Sequence, residues 1–280
     1  MHATFDIYGK GSRHPVCISV PHAGKSYPDG VAALLAMPLA RARGIEDRHA
    51  DLLAQEAITR SHCTIIARTP RLLIDLNRAE NDIVPGTIAG GAVRSARPSY
   101  RARGGLGLIP DRLPGVGPLW RQRPDVSTLA ERIATVHRPY HAALAAILAA
   151  ARRRNGYAIL IDLHSMPPLS GSHAADIVIG DLHGTSSAPE IVDEAQTLLE
   201  RHGLRVVRNV PYAGSHILER HSQPANHIHA LQIEVDRRLY LDTRLDTPGA
   251  GLAGMMNVIA DLADALSVRG APSELAIAAE

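Results

Sequence analysis

Short apolar runs that do not alternate with polar residues constrain this chain most. VCISV (16–20), TIIAR (64–68), LLIDL (72–76), AILIDL (158–163), ADIVIGD (175–181), LRVVRN (204–209) and ALQIEV (230–235) place apolar side chains at consecutive positions. A strand with one wet face would alternate, so such runs predict strands buried on both faces, as in a largely parallel sheet. Between them, 47–61, 127–154 and 188–203 carry a helical period. Strand and helix in alternation predict α/β layering. Ser127, with Asp125 nearby, has the spacing of an N-cap for the second helical segment, and Gly203 stops the third. Pro139 must start or kink a helix rather than lie inside one.

Residues 83–118 break this pattern with a run rich in Gly, Pro and Arg. A connection of that length is usually functional or mobile, and Arg94, Arg97, Arg101 and Arg103 suit a lid that closes over an anionic substrate. No repeat and no sharp change of composition marks a second domain, so residues 1–280 are expected to form a single one. The 30 Lys and Arg nearly cancel the 28 Asp and Glu, which leaves no global field to hold nucleic acid or an anionic membrane. Cys17 and Cys63 lie in or beside β-branched runs and read as buried thiols in a reducing compartment. With no basic-then-apolar leader and no uninterrupted apolar stretch of about 18 residues, the cytoplasm is the expected location.

In parallel α/β sheets ligands bind beyond the carboxyl ends of the strands, so polar residues directly after the apolar runs matter most. VCISV leads to His22, LLIDL to Asn77 and Arg78, and AILIDL to His164 and Ser165, while ALQIEV carries Glu234. Two imidazoles, a carboxylate base and an Asn-Arg pair are what a zinc hydrolase needs. Several readings stay open at this point. Glu46, Asp47, His49 and Asp51 either supply a metal ligand or cap a helix and complement its dipole. Asp162 is either a turn residue or the carboxylate that fixes the His164 imidazole. Glu234 is either a catalytic base or the partner of an arginine such as Arg237, since a buried carboxylate without a partner is costly. His137 and His141 have a zinc-compatible spacing, but no HExxH accompanies them, so packing or substrate contact is expected. No P-loop, no GxGxxG after a strand and no GxSxG occurs, which removes the usual support for nucleotide and serine-hydrolase chemistry.

Taken together, VPHAG (20–24), EDRHADLL (46–53), RLLIDLNR (71–78), GLGLIP (105–110), LIDLHSMP (160–167), NVPYAGSHILERH (209–221) and HALQIEVDRRLYLD (229–242) resemble the N-formylglutamate amidohydrolase family. DLNR is also similar to a stretch in aspartoacylases and succinylglutamate desuccinylases, zinc enzymes related to metallocarboxypeptidases. The resemblance implies a three-layer α/β/α fold with a mostly parallel mixed sheet, zinc-carboxypeptidase-like (phosphorylase/hydrolase-like), and one zinc ion. It implies His22 and His164 as zinc imidazoles, Asp47 (with Glu46 as the alternative) as the carboxylate ligand, and Glu234 as the general base. Asn77 and Arg78, helped by Arg71, would bind a substrate carboxylate, for which a bidentate guanidinium is suited. The implied reaction is hydrolysis of an N-acyl amino acid, N-formyl-L-glutamate first, to formate and L-glutamate in histidine degradation. Rival expectations are a zinc carboxypeptidase, a deacylase of another N-acyl amino acid, or a non-catalytic ligand-binding relative. Ser215, Ser222 and Glu219 depart from the family's pattern and bear on the glutamate moiety rather than on the metal chemistry.

Overall fold

A computed structural model describes residues 3–90, 97–171 and 174–269. In chain order it contains β1 (Phe5–Tyr8), β2 (Val16–Val20), α1 (Val31–Leu34), α2 (Leu39–Ala42), α3 (Ala50–Leu53), α4 (Gln55–Thr59), β3 (Cys63–Ala67) and α5 (Tyr100–Arg103). There follow β4 (Arg112–Leu113), β5 (Gly117–Pro118), α6 (Val126–Arg132), α7 (Arg138–Asn155), β6 (Ala158–Met166), β7 (Ile177–Gly180) and α8 (Pro189–Arg201). The last elements are β8 (Val206–Arg208), α9 (His216–His221), β9 (Ile228–Asp236) and α10 (Leu252–Arg269). Among the described residues no helix is long and apolar enough to cross a membrane.

Seven strands form one mixed sheet in the order β1-β3-β2-β6-β9-β7-β8. β2 pairs with β6, β6 with β9 and β7 with β8 in parallel, whereas β7 meets β9 antiparallel. Every residue of β2, β6, β7 and β9 is buried, as their unbroken apolar runs require. Cys17 and Cys63 are buried free thiols on the adjacent strands β2 and β3. The chain gathers into two compact units: the first is Met1–Asp6, Pro21–Asp47 and Ile66–Ala143, the second Ile7–Val20, Arg48–Ile65 and Leu144–Glu280.

In the second unit, α10 packs on α8 and α4, and its Val258, Ile259, Leu262, Ala263 and Leu266 are buried. α8 buries Ile191, Val192, Ala195 and Leu199, one apolar stripe at helical spacing, and it begins with Pro189. Gly203, at φ +78°, follows its end as expected.

Three local expectations are corrected. LLIDL is a buried, turn-rich segment rather than a strand. Its backbone groups are taken elsewhere: Asp75 N–H donates to the Leu108 carbonyl, and the Leu73 carbonyl accepts from Arg132. A short buried apolar run needs satisfied backbone groups, and side chains serve as well as a sheet. The helix expected over 47–61 starts only at Ala50, because His49 stands at φ 56°, and it is divided into α3 and α4. Asp125, not Ser127, caps α6: its Oδ1 accepts from Thr128 N–H at 2.7 Å and from Ser127 Oγ at 2.8 Å. Pro139 is the second residue of α7, directly after a π-helical turn at Ile133–His137. A fourth expectation fails here: helical backbone runs unbroken from Val126 to Asn155, so Pro139 lies inside a helix, and the π-helical turn just before it accommodates the N–H that proline lacks. In the expected loop 83–118, Arg101 and Arg103 belong to the single-turn helix α5, β4 and β5 form a ribbon, and Arg94 lies outside the described residues.

Candidate active site

In the first unit, the chain leaves β2 through Pro21 and presents His22 on a turn. A Cβ on Gly24 would lie 2.2 Å from the Thr69 carbonyl oxygen, so only glycine lets the two backbones approach there. His22 is buried between two carboxylates. Its Nε2 lies 2.7 Å from Asp75 Oδ1, and its Nδ1 lies 3.5 Å from Asp47 Oδ2. Asp47 is tied to the same turn by its backbone N–H, which donates to the His22 carbonyl at 3.1 Å. Glu46, the alternative ligand, is buried against other partners: Tyr27 Oη donates to it, and Arg43 Nε lies 3.3 Å from its Oε1.

Asp75 is fully buried and accepts from Arg71 Nε at 2.8 Å and from Asn77 N–H at 2.8 Å, besides meeting His22. Burial by itself would raise its carboxyl, yet the charges of Arg71, His22 and Arg78 hold it well below the ordinary carboxylate range. It is therefore an anion that fixes the His22 ring. The sequence carried a signal for it, a carboxylate inside an apolar run, but nothing local named its partner. Arg71 also donates to the Ile45 carbonyl.

Asn77 and Arg78 are both buried. The Arg78 guanidinium donates to the Leu106 carbonyl at 2.8 Å and to the Asn77 carbonyl at 2.6 Å. Burial lowers its pKa, Asp75 opposes that shift, and Arg71 and Arg101 add like-charge repulsion. Below this segment the H-x3-H pair acts as a buttress. His141 Nε2 lies 3.0 Å from the Leu76 carbonyl oxygen and His137 Nε2 2.8 Å from that of Arg78. His141→Phe should leave a buried carbonyl short of a partner and lower stability by about 1–3 kcal/mol. A fall in the urea midpoint at unchanged m-value checks this.

In the second unit, the in-register pairs are Ser19 with Asp162, Asp162 with Gln232, and His164 with Glu234. Residues in register on neighbouring parallel strands share a sheet face, so His164 and Glu234 stand side by side. Asp162 Oδ2 lies 2.9 Å from His164 Nε2, and its Oδ1 accepts from Ser19 Oγ at 2.9 Å. Of the two readings of Asp162, the structure has the one in which it touches and orients the imidazole. Glu234 is 8% exposed, and Gln232 Nε2 donates to its Oε1 at 3.1 Å. Arg237 Nε donates to Ser165 Oγ at 3.2 Å.

Both histidines thus present the same chemistry: an imidazole whose Nε2 faces a buried aspartate, which leaves Nδ1 as the nitrogen directed elsewhere. A carboxylate behind a ring nitrogen fixes the tautomer and raises the basicity of the other nitrogen, which suits a ligand for a divalent ion.

The model of the N-formylglutamate amidohydrolase family matches residues 14–241, a span that contains all of these side chains. This chain belongs to the N-formylglutamate amidohydrolase family. Two family members are N-formylglutamate deformylases. That of Pseudomonas aeruginosa is 31% identical over 240 residues, covering 83% of this chain and 84% of the relative. That of Pseudomonas putida is 31% identical over 237 residues, covering 82% and 83%. The crystal structure of N-formylglutamate amidohydrolase from Ralstonia eutropha JMP134 superposes with a TM-score of 0.88 at 30% identity, covering 95% of this chain and 98% of that one. The family resemblance read from the motifs is thereby established, and the mixed, mostly parallel sheet agrees with that neighbour.

Proposed function

We propose that this chain is a zinc-dependent amidohydrolase that cleaves the amide of an N-acyl amino acid, N-formyl-L-glutamate first, to formate and L-glutamate. The observation that carries the reading is the pair of buried imidazoles, each backed by an aspartate, one of them in register with a buried glutamate. By the family resemblance His22, Asp47 and His164 hold the metal ion, and two imidazoles with one carboxylate are a zinc-compatible donor set. When bound, zinc supplies Lewis acidity toward the amide carbonyl and the hydrolytic water.

The chain's own residues supply the rest. Glu234 takes a proton from water and returns one to the leaving amine. Asn77 and Arg78, helped by Arg71, bind the substrate carboxylate, and the Arg71 and Arg101 charges near Arg78 favour an anion there. Asp75 and Asp162 keep the two imidazoles oriented. The reading includes one amidohydrolase domain over residues 1–280, of the three-layer, zinc-carboxypeptidase-like kind, with neither nucleic acid nor membrane as partner. Its setting is the cytoplasm and histidine degradation.

Formate release from N-formyl-L-glutamate tests the reading. Zinc-loaded protein should turn over, chelated protein should lose the activity, and added zinc should restore it. Activity indifferent to chelation would remove the metal from the reading; no release by zinc-loaded protein would remove the substrate.

A further inference from the structure

A second set of ligating side chains lies at the opposite ends of the strands, within the second unit. His14 stands two residues ahead of β2, His62 directly ahead of β3, and Asp264 on α10. One ligand atom of each lies within 4.8 Å of the others. His62 is 0% exposed, and its Nε2 is 2.7 Å from Asp264 Oδ1. The His14 and His62 rings face each other with centroids 4.2 Å apart and planes inclined by 34°. His14 and Asp264 are only partly buried, so solvent and ions reach the group.

The carboxylate is held in place from behind. Arg60 donates to Asp264 Oδ2 at 2.8 Å and to Asp261 Oδ1 at 2.7 Å, so Oδ1 of Asp264 is the oxygen presented to the histidines. This support matches what a metal-ligating carboxylate ordinarily has around it. Two imidazoles and one carboxylate with a side open to solvent suit zinc-class transition metals rather than calcium or magnesium, which take oxygen ligands.

We propose that His14, His62 and Asp264 form a second metal site, for a divalent transition cation of the zinc class, that fastens α10 to the segments entering β2 and β3. Its role is structural. The ligands come from three segments far apart in the chain, so one ion closes two long loops and restricts the unfolded ensemble. The site shares no residue with the proposed catalytic group.

Zinc counting tests this on the untagged full chain. Protein stripped with a chelator is titrated with zinc chloride, desalted and assayed for bound metal. His14→Gln and Asp264→Asn should each retain one zinc ion fewer per chain than the wild type. Each should also lose part of the zinc-dependent rise in melting temperature. His164→Ala reports on the catalytic group separately, so failure of that reading leaves the difference between wild type and His14→Gln intact. Equal zinc counts in the wild type and both variants would overturn the second site and leave an ordinary His62–Asp264 hydrogen bond. A measurement without variants guards against misfolding: zinc should shift the imidazole nitrogen resonances of His14 and His62, and unmoved resonances would equally overturn the proposal.

Discussion

Glu234→Gln should lower kcat by roughly 10²–10⁴-fold, the usual contribution of a positioned general acid–base, while zinc content stays at the wild-type level. The amide keeps the shape of the side chain and its packing beside Gln232, but it cannot take a proton from water. Glu234 is in register with His164 on the same face of the sheet and is almost fully buried, so no neighbouring solvent base replaces it. Steady-state kinetics on N-formyl-L-glutamate, with metal analysis of the same samples, checks both halves. A variant with near wild-type kcat would remove Glu234 from the mechanism; a variant that loses zinc would make it a ligand or a support for one.

Asp75→Asn should be the most damaging single change outside the catalytic group. It removes the anion that Arg71 and His22 share, and leaves the partly buried Arg71 guanidinium, 14% exposed, without that partner. Removing one member of a fully buried ion pair costs about 3–5 kcal/mol, and the partial exposure of Arg71 puts this case at or below the lower end. The same change frees the His22 ring to turn, and loss of such a supporting carboxylate typically weakens metal binding about 10–100-fold. Urea unfolding of metal-free protein isolates the first effect, and zinc titration under native conditions the second. Near wild-type urea midpoints would show that Arg71 finds another anion.

Several features were legible in the sequence because their cause is local. An unbroken apolar run is buried wherever it goes, so VCISV, AILIDL, ADIVIGD and ALQIEV became β2, β6, β7 and β9. The same logic failed for LLIDL, whose carbonyls at Leu73 and Leu76 find Arg132 and His141 rather than a neighbouring strand. Length and composition do not separate the two outcomes; the partner does. α10 went unread, although its burial on α8 and α4 is extensive, because a helix apolar on most sides carries little periodicity. β1 was likewise missed, a short strand whose residues are only partly buried or exposed.

The sequence by itself determined the chemistry available: histidines behind two apolar strands, a carboxylate inside a third, and an Asn-Arg pair after a fourth apolar run. It also determined the family, through motifs in a set order. Only the tertiary structure decided which carboxylate serves which imidazole. Asp75 reaches His22 across 53 positions of sequence, and Asp162 turns to His164 two residues away on its own strand. Only the structure, too, gathered His14, His62 and Asp264 from three distant segments. The physical reason is that burial follows from a residue and its neighbours in the chain, whereas hydrogen bonds and ligation are relations between groups that the fold alone brings within about 3 Å.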